Sequence, residues 1–485
     1  MLIGREKEIA KLNHLYNGDS AELVAIYGRR RVGKTFLVDE VFSDRITFRH
    51  AGLSPVEGHQ EDAGRNKMKD QLEHFFRSLQ AQGLKATHRA KSWLEAFYML
   101  ETLLMEKEKT SSGRLLVFLD EIQWMDTPKS GFMTGLEAFW NGWACHRHNV
   151  MVVVCGSSSS WILDKLVHNH GGLYGRVTCQ INLLPFSLHE CEEFFRAKGI
   201  ELSRYDIAQA YMIVGGIPYY LNYFSREMSL SQNIQALFFD PSAPLADEFQ
   251  LMFSSLFARP GVMQSIVRAV NTRNRGLTRS ELVKLTGLPE GGDVGKYLQA
   301  LIAGTFMIKY DSFGNGKRES YYKLVDPFCL FYLKFMDGNT GKRGMNWVNL
   351  SDTQSVISWR GLAFENVCFN HIPQIKASLG ISGVSTSESL WSKRGDEDAE
   401  GTQIDLIINR RDNVVNMCEI KFYSDEFLVT KDYHFTLERR KRLLREHIPK
   451  KATIHNILIT TFGVIKREFF GDFIQVITLD DLFTS

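Results

Sequence analysis

Several residues have the types and spacing to act on phosphates. Gly28-Arg29-Arg30-Arg31-Val32-Gly33-Lys34-Thr35 matches GxxxxGK[ST] in full, follows an apolar run and opens a helix-like one. The glycines let the backbone around Arg31 and Val32 curl so that its N–H groups face phosphate oxygens. Lys34 is expected to reach the β and γ phosphates of ATP and Thr35 to ligand Mg²⁺, with the helix start favouring the negative charge. Leu115-Leu116-Val117-Phe118-Leu119-Asp120-Glu121 is an apolar run ending in two carboxylates. Asp120 is expected to hold the metal, directly or through water, and Glu121 to polarise an attacking water. Ser157, in Gly156-Ser157-Ser158, ends the next apolar run, where a polar side chain can sense a γ-phosphate. Arg176, in Leu173-Tyr174-Gly175-Arg176, can stabilise transition-state charge; action in cis, action in trans and a plain salt bridge all remain open.

A second constellation lies far downstream. Glu365 sits in the helix-like Gly361-Leu362-Ala363-Phe364-Glu365-Asn366-Val367, and Asp405 near the start of the strand-like Gln403 to Ile408. Glu419 and Lys421 follow in Met417-Cys418-Glu419-Ile420-Lys421-Phe422, where a period of two puts them on one face. Asp405 and Glu419 are hard oxygen ligands suited to Mg²⁺, and Glu365 can complete such a site. Lys421 would orient or activate a water while the metal polarises a phosphodiester. Two plainer readings stand beside this one. The four can be solvated strand-edge charges, or the remnant of a fold that binds nucleic acid without cutting it.

These residues need elements to position them. A helix is expected from Glu6 to Tyr16, then strands at Leu23 to Tyr27 and Ile46 to His50, with amphipathic stretches around Gln71 to Leu79 and Trp93 to Met105. Leu115 to Leu119 and Val150 to Cys155 are solid apolar runs, as in a parallel sheet buried on both faces, and Val177 to Leu183 adds another strand. From 187 to 257 the pattern turns helical. Thr278-Arg279-Ser280-Glu281 is a capping box opening a helix from Leu282 to Leu285, and Gly287 ends it. A second helix, Val294 to Ala303, precedes strands Met307 to Asp311 and Tyr321 to Val325, which flank a Gly-Asn-Gly turn. Helix, turn, helix, hairpin is the winged-helix order. Asp337 to Arg343 reads as a linker.

Composition narrows the function classes. Of 485 residues, 44% are hydrophobic and 24% charged, an ordinary globular balance, and the length implies several domains. A net charge of +2 means that any DNA contact must come from a local patch. Arg439-Arg440-Lys441-Arg442 with Arg445 can meet phosphates, although a solvated helix face is the plainer reading. Arg273, Arg275, Arg279 and Lys284 surround the helix-turn-helix, whose second helix offers only Lys296, Tyr297 and Gln299 to a groove. Packing or protein interaction is an equal reading for that module. Seven cysteines without a CxxC pair suggest neither disulfides nor zinc, and Cys155 and Cys418 read as buried, inert thiols. The charged N-terminus and the shortness of every apolar run point to a cytoplasmic location and no membrane span.

Ile3-Gly4-Arg5-Glu6, the loop from Gly28 to Thr35, Leu119-Asp120-Glu121, Leu173 to Arg176 and Gly215-Gly216-Ile217-Pro218-Tyr219-Tyr220-Leu221 occur in one order. Together they resemble the prokaryotic AAA+/STAND ATPases known as the archaeal ATPase family. The resemblance implies that Gly4, Arg5 and Glu6 lie near the adenine and that Pro218 caps the base from a lid. The downstream carboxylates and ExK resemble the PD-(D/E)XK nucleases. The expected fold is α/β: a P-loop parallel sheet (1–186) with a helical lid (187–257), a winged helix (258–336) and a restriction-endonuclease-like domain (345–485). An ATP switch governing a DNA nuclease is the first expectation; a signalling ATPase that binds a protein or nucleic-acid partner without cleavage is the alternative. Arg176 leaves an oligomer open.

Overall fold

The computed structural model describes residues 2–54, 68–110, 113–168, 171–313, 320–338, 346–393 and 402–485. The chain divides into two compact units, 1–184 and 185–485. Among the described residues no helix is long and apolar enough to cross a membrane.

The first unit is built on a five-stranded sheet. Its strands are β1 (Glu22–Tyr27), β2 (Ile46–Ala51), β3 (Leu115–Asp120), β4 (Val150–Gly156) and β5 (Cys179–Asn182), in the order β2-β3-β4-β1-β5. Every pairing is parallel. Central strands of such a sheet are covered on both faces, and β3 and β4 are buried at every position, which explains their unbroken apolar sequence. The helices Met68–Ala81, Trp93–Glu108 and Phe132–Gly142 supply Phe75, Trp93, Phe97, Phe132 and Phe139 to one core. Ser92 caps the second of these by accepting the Glu95 N–H at 3.2 Å. Cys155 is buried in β4, where desolvation pushes its thiol pKa up.

The second unit opens with helices, among them Leu188–Ala197 and Arg204–Val214. A small antiparallel sheet follows, of β6 (Leu277–Thr278), β7 (Met307–Asp311) and β8 (Ser320–Leu324), in the order β6-β8-β7. Helices Arg279–Thr286 and Gly292–Ala303 lie between β6 and β7 in sequence. The capping box forms: Glu281 N donates to Thr278 Oγ1 at 3.3 Å, and Thr278 N to Glu281 Oε2 at 2.9 Å. It starts the helix earlier than the apolar pattern alone suggests. The Gly-Asn-Gly turn and most of the expected linker lie outside the described residues.

After the long helix Gln354–Asn370 comes a five-stranded mixed sheet. It contains β9 (Thr386–Lys393), β10 (Thr402–Arg410), β11 (Val414–Lys421), β12 (Thr453–Thr460) and β13 (Gln475–Ile477), ordered β13-β12-β11-β10-β9. The first three strands run antiparallel, and β11, β12 and β13 run parallel. Helix Lys431–Arg445 makes the β11–β12 crossover and packs Leu437 and Leu444 into the core over Val415, Met417 and Leu458. Asp405 falls inside β10 rather than at its start, beside a register shift between Ile404 and Ile407. Cys418 is buried in β11, as its apolar setting suggests.

Candidate functional site

The phosphate loop follows β1 and leads into the helix Lys34–Phe42. Its curl depends on left-handed backbone at Arg31 (φ 71°) and Gly33 (φ 93°), and on Gly28 at φ 149°. A Cβ at Gly28 would stand 2.2 Å from the Leu183 carbonyl oxygen, so only glycine fits there. Arg5 is buried and donates through Nη2 to Leu184 O at 2.7 Å and Val32 O at 3.5 Å, bracing the loop against the end of the unit. Gly4 and Arg5 both have left-handed φ angles. Lys34 Nζ donates to the Gly28 and Arg29 carbonyls, each at 3.0 Å. Burial pulls the Lys34 pKa below that of an ordinary lysine, while Glu121, Cys155 and Asp120 oppose this.

Strand β3 delivers the acidic pair to the same place. Thr35 Oγ1 donates to Asp120 Oδ2 at 2.7 Å, across 85 residues of sequence. Burial raises the Asp120 pKa, the Thr35 hydrogen bond opposes that, and the Glu121 charge adds to it. Two hard oxygens side by side, one on a carboxylate disfavoured by desolvation, suit a divalent cation. Glu121 takes a left-handed φ of 45° just past the strand. Its Oε2 accepts from Ser157 Oγ at 2.7 Å, from Ser157 N at 3.1 Å and from Gln123 Nε2. Gln123 also donates to Ser157 Oγ at 3.1 Å. Sequence reasoning overlooked Gln123. Its position two residues past the carboxylate pair was the available signal.

Arg176 lies elsewhere. Thr178 N donates to Leu23 O at 2.9 Å, which aligns this segment with the amino end of β1. From Leu23 to Gly28 a strand climbs roughly 16 Å. Arg176 is exposed, two residues before Thr178 and so nearer the amino end of β1 than the carboxyl end that leads to Lys34. Pro218 belongs to the second unit, where it opens the short helix Pro218–Leu221 after Gly215 and Gly216, both left-handed.

In the second unit the downstream residues do converge, but around cations. Lys421 Nζ stands 3.5 Å from Asp405 Oδ2 and 3.6 Å from Glu419 Oε2. Glu419 is fully buried, and its Oε2 accepts from Tyr433 OH at 2.7 Å and from Arg440. Asp405 Oδ2 accepts the Ile420 N–H at 3.0 Å. Glu365 Oε2 accepts from Asn274 Nδ2 at 3.0 Å and lies 3.9 Å from Lys323 Nζ. Burial, then the Asp405 charge, lifts the Glu365 carboxyl to about 7, against the pull of Lys323. Burial alone would lower the Lys421 pKa, but Asp405 and Glu419 outweigh it and raise it. Glu365, Asp405 and Glu419 thus lie against Lys323, Lys421 and Arg440, and burial lowers the Lys323 pKa as it raises that of Glu365. Among the described residues no group of three or more His, Cys, Asp or Glu side chains is placed to hold one metal ion. Lys421 and Arg440 instead pair with Asp405 and Glu419, and Asn274 and Lys323 engage Glu365.

The basic run therefore needs correction at one position. Arg440 does not belong to a solvated face: it reaches inward from the helix Lys431–Arg445 to Glu419. Tyr433, Leu437, Arg440 and Leu444 recur at helical spacing on one face, a signal present in the sequence. Near the small sheet, Arg273 and Arg275 both pair with Glu281, and Arg279 donates to the Gly291 carbonyl at 2.7 Å.

Residues 2–224 match the family described as an ATPase domain predominantly from Archaea. An uncharacterised protein of Methanocaldococcus jannaschii is 22% identical over 458 residues, covering 92% of each chain. An uncharacterised ATP-binding protein of the same organism is 25% identical over 252 residues, covering 46% of this chain and 69% of the relative. Among solved structures, the Walker-type ATPase of Pyrococcus abyssi is similar at 19% identity and a TM-score of 0.46, covering 69% of this chain and 96% of that one. The ORC2 protein of Aeropyrum pernix, in ADPNP–ADP complexes, follows at 14% identity and a TM-score of 0.42, covering 67% and 91%. With its phosphate loop and acidic strand end assembled, the chain carries, over residues 2–224, the sequence features of the archaeal-type ATPase domain that it matches.

Proposed function

We propose that this domain is a Mg²⁺-dependent ATP-binding and ATP-hydrolysing switch. The observation that carries the reading is the 2.7 Å bond from Thr35 to Asp120, which joins the phosphate loop to the acidic strand end. Backbone N–H groups of the loop and Lys34 hold the β and γ phosphates. Mg²⁺, held by Thr35 and Asp120, would neutralise charge on those phosphates. Glu121 orients the attacking water through Oε1, because Ser157 and Gln123 engage Oε2. Gly4 and Arg5 form the adenine side. Arg176 serves a neighbouring copy rather than its own phosphates, given the alignment of its segment with the amino end of β1. Steady-state ATP hydrolysis and ATP binding test the reading. Lys34→Ala should lower hydrolysis by on the order of a hundredfold, the scale of losing one phosphate-stabilising group. Hydrolysis unchanged in Lys34→Ala would refute it.

For the second unit, the order helix, β6, helix, helix, β7, β8 supports a winged helix over 258–336. The run of helix, three antiparallel strands, crossover helix and parallel strand supports a PD-(D/E)XK-like core over 345–485. The ion pairs that engage Asp405 and Glu419, and the burial that raises the Glu365 pKa, favour partner binding, to DNA or protein, over cleavage. DNA incubated with Mg²⁺ or Mn²⁺, with and without ATP, distinguishes the two. Cleavage that disappears in Lys421→Ala and is altered in Lys34→Ala would establish the ATP-controlled nuclease instead.

A further inference from the structure

Glu365 is held by residues from outside the sheet that carries Asp405 and Glu419. Asn274 shortly precedes β6 and Lys323 lies on β8, so both come from the small antiparallel sheet and its approach. Lys323 Nζ donates to Asn274 O at 2.9 Å and to Asn274 Oδ1 at 3.2 Å. Asn274 Nδ2 in turn donates to Glu365 Oε2, and Lys323 Nζ stands 3.9 Å from the same oxygen. The Lys323 side chain is 2% exposed and that of Glu365 9%, so both are taken out of water to make this junction.

The apolar part of the contact is small. Tyr310 and Tyr321 of the small sheet meet Leu390 of β9, with Ile308 and Phe369 against them, in a cluster separate from the core that holds Met417 and Leu437. Modules of one chain joined by a small, partly polar interface move relative to each other by default. An apolar pair of similar volume would hold such a junction at least as well as a buried amine and carboxyl. The polar pair therefore adds little strength; its effect is to occupy the carboxylate.

A PD-(D/E)XK-like core implies a divalent metal among its carboxylates. As arranged, these residues do not fit one: a hard cation needs bare carboxylate oxygens within about 2.0–2.6 Å, and Glu365 Oε2 already faces two N–H donor groups. We propose that the small sheet is an inhibitory cap on the acidic cluster, with Asn274 and Lys323 as its latch on Glu365. The cap regulates the site of the PD-(D/E)XK-like reading, on which it rests, and it is the cap rather than the core that excludes the metal. Because Asn274 and Lys323 are bonded to each other, lifting the small sheet withdraws both donors from Glu365 together.

Mn²⁺ alone is the probe, titrated into the full chain and followed by electron paramagnetic resonance of the free ion. An Asp120→Asn background keeps the phosphate-loop site out of the measurement. Lys323→Ala in that background should gain a Mn²⁺ site with a dissociation constant below about 1 mM, at least about tenfold tighter than the background protein. Adding Asp405→Asn should abolish the gain. Thermal unfolding checks that each variant folds; Asn274→Ala, at a half-buried position, should shift affinity in the same direction and decides the matter if Lys323→Ala does not fold. Mn²⁺ bound as tightly before the latch is removed as after it, and lost with Asp405→Asn, would overturn the cap and leave the PD-(D/E)XK-like reading standing. No Mn²⁺ site in any folded latch variant would overturn both.

Discussion

Ser157 Oγ and Glu121 Oε2 are 2.7 Å apart, joining the ends of β3 and β4 across one strand boundary. This bond orients the carboxylate, with Gln123 as a second support. Glu121→Gln should therefore leave ATP binding within a few-fold and lower hydrolysis by about a hundredfold or more, as loss of a water-orienting base does. Ser157→Ala should lower hydrolysis less, since Gln123 remains. Single-turnover hydrolysis beside equilibrium ATP binding separates the two effects; a Glu121→Gln protein that hydrolyses normally would remove Glu121 from the chemistry.

Arg176 is exposed and stands at the amino edge of the sheet. Arg176→Ala should change stability by less than about 0.5 kcal/mol, the usual range for such surface positions. ATP affinity in dilute protein should be unaltered. If the arginine completes a neighbour's site, hydrolysis per chain should rise with concentration in the wild type and stay flat in the variant. A loss of activity at all concentrations alike would argue for a role within one chain.

Glu419 is fully buried and depends on Arg440 and Tyr433 for its neutralisation. Arg440→Ala should destabilise the chain by about 3–5 kcal/mol, because it strands a buried charge. Glu419→Leu combined with Arg440→Met should cost much less, since it removes both charges and keeps the volume. Thermal unfolding of the single and double variants checks this. A double variant as unstable as Arg440→Ala would show that packing rather than charge governs the pair.

His371 links two helices through both ring nitrogens: Nε2 accepts the Leu188 N–H at 2.9 Å, and Nδ1 donates to Val367 O at 2.7 Å. Only the neutral ring can do both. Burial lowers its pKa from 6.5 to about 4. The unfolded chain then binds the proton more readily, so the contribution is complete above pH 6.5 and is lost as pH falls towards about 4. His371→Gln should flatten the stability profile across that window. Denaturant unfolding between pH 7 and pH 4 measures it, and parallel profiles for the two proteins would sink the assignment.

The first unit was legible because its signals are local. The loop, the strand before it and the helix after it are contiguous, and buried parallel strands announce themselves as apolar runs such as Leu115 to Leu119. Glu419 and Lys421 were also correctly assigned to one face, since a strand's period is short. Their partners were harder to see. Asn274 and Lys323 come from around the small sheet, 91 and 42 residues from Glu365 in sequence, and no spacing rule pairs them. Arg440 was hidden in a run of four basic residues, where composition suggests solvent and only the register with Leu437 and Leu444 shows otherwise.

Gly28 presses on the Leu183 carbonyl, and Arg5 ties Val32 to Leu184. The polypeptide therefore leaves its first unit at the spot where the phosphate loop is propped. A displacement of that loop would bear first on the last peptides before residue 185. Communication with the rest of the chain can begin there without a dedicated messenger helix, and its stiffness is set by one glycine that admits no side chain and one arginine that spans the gap.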